Sequence, residues 1–153
     1  KFIDIDFSGA NLISLVSKKV PAFIEPEAIV IVDGDVRKEI SKMKSITKAK
    51  NILVLPTNMS PEQLTASFLH GLSDTDRLWD NIGEGYSKQV CFRDYILVEI
   101  MKDRVKAKTW FRRELPSWGI NASKVLTPLF NEYKEERSEF ITEFEEMMKL
   151  YHV

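Results

Sequence analysis

The run AIVIV, Ala28 to Val32, is unbroken by any polar residue and ends directly in Asp33-Gly34-Asp35. A short segment of β-branched residues, apolar on both faces, suits a central parallel strand covered by helices on either side. Two more strand patterns accompany it: KFIDIDF, where Phe2–Phe7 alternates apolar and acidic residues, and Asn51–Leu55, stopped by Pro56. Helical patterns lie between and after them. Ser8–Val20 carries a stripe of Leu12, Leu15 and Val16, and Val36–Lys50 is amphipathic. Ser60–Leu72 has Ser60 as N-cap, Pro61 at the first helical position, Glu62 in the first turn and Gly71 at its end. Strand and helix alternating three times predict an α/β fold over residues 1–73. Its parallel sheet has right-handed crossovers and helices on both faces.

From residue 74 to 153 the pattern changes to a helical extension. Residues 93–115 and 127–151 each read as a long helix. Thr127-Pro128 is the start signal of the second, and Leu126, Leu129, Phe130, Tyr133, Phe140, Phe144, Met147 and Tyr151 form its stripe. At 153 residues the chain amounts to one domain, or a piece of a larger protein. The latter is expected, because Lys1 is no initiator and FIDIDF opens inside a strand. Apolar residues at 44% suffice for a packed core. No apolar run approaches the ~20 residues of a membrane span, and no secretory signal is present, so a cytoplasmic address without membrane contact is expected. Cys91, the single cysteine, excludes an internal disulfide and reads as a buried, inert thiol.

Net charge is −1, but it is distributed unevenly. Arg37, Lys38, Lys42, Lys44, Lys48 and Lys50 stand against Glu39 alone, and Lys102, Arg104, Lys106, Lys108, Arg112 and Arg113 against Asp103. Each run alone is a solvated helix face; two of them flanking paired carboxylates point to a polyanion partner.

Functional groups of an open parallel sheet collect at the carboxyl ends of its strands. Asp33 and Asp35 stand there, and in extended chain their spacing points both side chains the same way. Two adjacent carboxylates repel and call for a proton or a hard divalent cation such as Mg²⁺ or Mn²⁺. The competing reading is a type I′ hairpin turn at Asp-Gly, and phosphatases, glycosyltransferases and phospho-receivers also use a D-x-D pair. Glu62 follows the next strand, either as a residue favoured by the helix dipole or as a further ligand.

IVIVDGD, then NILVLP…SPEQLTASFL, then KAKTWF resemble the Toprim domain of OLD-family ATPase–nucleases, several of which serve in anti-phage defence, some encoded with retrons. The resemblance spans about Phe2 to Phe111. It implies a Toprim-like, Rossmann-like core, with Asp33 and Asp35 as the metal-binding pair of a Mg²⁺ or Mn²⁺ site, two metals being expected, and Glu62 as a further ligand. It assigns Lys108 to charge stabilisation, with Lys106 as the alternate. The family's first-strand glutamate and its ATP-binding ATPase part would lie outside this chain, which has no G-x-x-x-x-G-K-[ST] loop. The implied activity is metal-assisted phosphodiester hydrolysis. DNA would be contacted through Arg37, Lys42, Lys44, Arg104, Lys106 and Arg112. Implied partners are the ATPase domain, a second copy or a higher oligomer, and a retron nucleic acid with its reverse transcriptase.

Two competing readings are a degenerate Toprim scaffold, which dimerises the ATPase or holds a partner nuclease or nucleic acid, and a phospho-receiver with Asp33 as acceptor. His70 reads as a helix-end or surface histidine, Trp79, Trp110, Phe111 and Trp118 as core anchors, and Gly83–Tyr86 as an ordinary turn.

Overall fold

The computed structural model describes residues 29–42 and 51–150. The strand expected at 2–7, the helix at 8–20, and Lys44, Lys48, Lys50 and Tyr151 lie outside the described residues. The chain divides into two compact units, residues 1–58 with 135–153, and residues 59–134.

In the first unit, strand β1 (Val30–Val32) pairs in parallel with β2 (Ile52–Val54), Val30 opposite Ile52 and Val32 opposite Val54. Both strands fall within the segments the sequence predicts. After β1 the chain makes a 3-10 turn, Gly34–Val36, and a single turn of helix α1, Arg37–Ile40. Val36 and Ile40, four residues apart, pack with Val32 on the sheet face carrying Val30, Ile52 and Val54. On the other face Leu53 is buried, while Ile31 beside it is 47% exposed. The expected cover over both faces of β1 therefore does not extend to Ile31. The helix predicted over 36–50 is observed as far as Ile40, with Ser41 and Lys42 in a turn.

The second unit is helical. It comprises α2 (Pro61–Gly71), α3 (Arg77–Ile82), α4 (Lys88–Cys91), α5 (Leu97–Lys102), α6 (Arg104–Trp118) and α7 (Ala122–Glu132). Helix α2 begins as the sequence predicts: Ser60 Oγ accepts from the Gln63 amide and the Gln63 side chain accepts from the Ser60 amide, a full capping box. Buried Gln63 also donates to the Ile100 and Met101 carbonyls, satisfying the end of α5. Helix α2 packs against α5, α6 and α7 within this helical unit, although sequence alternation had grouped it with the sheet.

The core holds Phe68, Leu69, Trp79, Ile82, Ile100, Trp110, Trp118 and Val125. Phe92 stacks on Trp110 at 5.4 Å, and Phe111 meets Trp118 edge to face. The indole N–H groups are satisfied by Ser73 O, Cys91 O and Tyr86 Oη. These aromatics are core anchors, as read from the sequence.

Three helix boundaries differ from the sequence reading. Residues 93–115 break at Asp103, whose extended backbone ends α5 and whose carboxylate accepts from the Val105 and Lys106 amides to start α6. Pro128 lies inside α7, which begins at Ala122 after Gly119 (φ +49) and a 3-10 turn, so Thr127-Pro128 does not open a helix. Finally, α7 and α8 (Lys134–Leu150) are separate helices that meet at Tyr133, dividing the expected stripe. Leu129 and Met147 are buried, Phe130 is exposed, and Phe140 stacks on Phe144.

Candidate functional site

The carboxyl edge of the β1–β2 pair gathers the first unit's candidate groups. Asp33 ends β1 in extended conformation, and its carbonyl accepts from the Val36 amide at 3.4 Å. Gly34 is buried and does not have a positive φ, and the chain proceeds into a helical turn instead of a returning strand. A type I′ turn needs positive φ at both central residues, so the hairpin reading is excluded. The 3-10 turn also removes the premise that Asp33 and Asp35 share a direction by extended alternation, because the chain leaves the strand between them. Both residues are half-buried, and Asp35 Oδ1 is shielded from solvent.

Arg37, two residues further on, reaches back across the end of β2. Its Nη2 donates to the Leu55 carbonyl at 2.8 Å and the Val54 carbonyl at 3.4 Å, and its Nε to the Thr57 carbonyl at 3.3 Å. Thr57 has φ +71, the left-handed region that a β-branched residue rarely adopts. Such a conformation costs about 1–3 kcal/mol and persists where neighbours over-determine it. The sequence reading gave Arg37 to the DNA phosphates; in the structure two of its three nitrogens are tied to main-chain oxygens.

The other candidates belong to the second unit. Glu62 is in the first turn of α2, and its Oε2 is withdrawn from solvent with no hydrogen-bond partner among the described residues. A buried carboxylate oxygen left this way calls for a water or a cation. Along α6 the basic run separates by helical geometry. Arg104, Lys108 and Arg112, spaced four apart, form one strip, and Lys108 is half-buried with no hydrogen-bond or ion-pair partner among the described residues. Lys106 lies off that strip, 2.7 Å from Glu99, and this hydrogen bond raises its pKa. Arg113 faces inward, bonding Glu114, Asp94 and the Cys91 carbonyl, with its guanidinium over the Tyr95 ring. Of the two lysines open as the stabilising cation, Lys106 is already partnered. Lys42 is exposed in the turn after α1.

A buried network went unforeseen. Glu114, only 4% exposed, accepts from Arg113 Nε on Oε1 and from the Tyr86 hydroxyl on Oε2, and Tyr86 Oη accepts from Trp118 Nε1. Burial, reinforced by hydrogen bonding to Cys91 and Glu114, holds the Tyr86 hydroxyl well above the ordinary tyrosine range. Burial likewise pushes the Cys91 thiol up to about 12. An unreactive Cys91 follows, as the sequence suggested. His70 is exposed, and its ring meets that of Phe92 edge to face.

As to cofactors, hard oxygen donors at a strand end suit Mg²⁺ or Mn²⁺. Asp33 and Asp35 offer that chemistry in the first unit, and the buried oxygen of Glu62 offers it in the second. Among the described residues no group of three or more His, Cys, Asp or Glu side chains is placed to hold a metal ion. No described helix is long and apolar enough to cross a membrane. Comparisons with family models, with curated proteins and with solved structures return no match.

Proposed function

We propose that the chain carries the metal-binding nuclease domain of a Toprim-type ATPase–nuclease, cleaving DNA phosphodiesters in a defence role. The observation that supports it best is the Asp33-Gly34-Asp35 turn, two carboxylates at the carboxyl end of a parallel strand beside a strained loop. Asp33 and Asp35 are the ligands of a divalent ion, Mg²⁺ or Mn²⁺. When bound, that ion supplies Lewis-acid polarisation of the phosphate and a nucleophilic water near neutral pH. Glu62 and Lys108 enter on the resemblance, as a further ligand and as the cation meeting charge on the phosphate oxygens. Lys42 in the first unit, and separately the strip of Arg104, Lys108 and Arg112 in the second, are the cations of this reading that contact DNA phosphates without reading sequence. The ATPase part, a second copy and a retron nucleic acid remain the partners of this reading, at a cytoplasmic address.

Mn²⁺ titration and DNA cleavage by the intact protein provide the test. Asp33→Asn and Asp35→Asn are expected to lose both Mn²⁺ binding and cleavage, with the fold retained because like-charge repulsion is relieved. The competing reading is the degenerate Toprim scaffold. It prevails if the wild type neither binds Mn²⁺ nor cuts while both variants keep full biological function.

A further inference from the structure

We propose that Arg37 is a positioning residue for the Asp33–Asp35 edge, acting as a clamp that holds the Thr57 turn in its left-handed conformation; this rests on the metal-site reading above. The guanidinium bridges three carbonyls of one short segment, Val54, Leu55 and Thr57, from the helix turn immediately after the two aspartates. It thereby fixes the exit of β2 against the exit of β1, the place where an α/β sheet presents its ligands. Thr57 stands at φ +71, which a β-branched residue rarely adopts, and the Arg37 bond to its carbonyl is one of the contacts that hold the exit of β2 there. Groups around a metal ligand set orientation as much as the ligands do, and their loss typically costs 10–100-fold in affinity. Lysine is no substitute, since a single ammonium on a flexible stem lacks the planar fork that reaches three acceptors.

The experiment is Mn²⁺ titration of the full chain in four forms: wild type, Arg37→Ala, Arg37→Lys and the double variant Arg37→Ala/Thr57→Gly. Thermal unfolding and amide exchange over residues 55–58 are followed in each. Arg37→Ala is expected to weaken Mn²⁺ binding about tenfold and to speed exchange at 57 and 58 while the melting curve stays near wild type. Arg37→Lys should resemble Arg37→Ala. The double variant should recover most of the affinity, because glycine adopts positive φ without strain. Wild-type affinity in Arg37→Ala, or a double variant as weak as the single one, overturns the clamp and leaves the metal site standing. If wild-type protein binds no Mn²⁺, the metal reading fails and the clamp's role falls with it.

Discussion

Glu114 is saturated at both oxygens by groups distant in sequence, and its removal would strand Arg113 Nε and the Tyr86 hydroxyl in a buried space. Breaking a fully buried pair costs about 3–5 kcal/mol. Arg113 keeps Asp94 and is one-quarter exposed, so Glu114→Ala is expected to cost less, about 2–3 kcal/mol by urea unfolding. The neighbouring thiol and phenol, both raised by burial, make stability fall at alkaline pH. Cys91 titrates at about 12 when folded and near 9.0 when unfolded, and Tyr86 also has its folded value raised. Between these values the folded state binds more protons than the unfolded one, so stability is fully present below about pH 9 and falls as pH rises toward 12. The thiol alone contributes a slope of about 1.4 kcal/mol per pH unit. Urea melts at pH 8, 10 and 11 measure it, and Cys91→Ala should flatten the dependence.

At the scale of elements, the corner between α5 and α6 depends on one carboxylate. Asp103 closes α5 and caps α6 by accepting from two amides, and it stands beside the Lys106–Glu99 pair. Asp103→Ala removes that cap and is expected to destabilise the protein by about 1 kcal/mol. Lys106→Ala, which deletes an exposed ion pair, should leave stability near wild type. Thermal melts of both variants separate the cap from the pair. Pro116 and Pro128 lie inside α6 and α7, where each removes an amide donor, so packing of the Trp118 and Leu129 faces offsets a local cost.

For the whole molecule, the strip of Arg104, Lys108 and Arg112 on one side of α6 makes a graded prediction about DNA. Charge reversal at Arg104, Lys108 or Arg112 should weaken binding and lower the salt dependence by about one released counterion each. Lys106→Glu should do less, since Glu99 already neutralises it. Fluorescence anisotropy across a salt series reads both, and equal effects at all four positions would remove the strip from the interface.

What the sequence by itself determined is local: two strands from runs of β-branched residues, the α2 start from Ser60, Pro61 and Glu62, the aspartates at a strand end, and tryptophans in the core. Each follows from side-chain period or from a cap within four residues, interactions that a chain carries wherever it folds. Tertiary structure decided the 3-10 turn that separates Asp33 from Asp35, the break at Asp103, the grouping of α2 with the helices, and the partners of Arg37, Lys106 and Glu114. Arg37 reads as a free base until the end of β2, 17 to 20 residues away, is brought beneath it. Glu114 meets Tyr86, 28 residues earlier, only once the helices have packed. A charged side chain's role is set by the dielectric and the acceptors around it, and those arrive only with chain segments that local pattern does not encode.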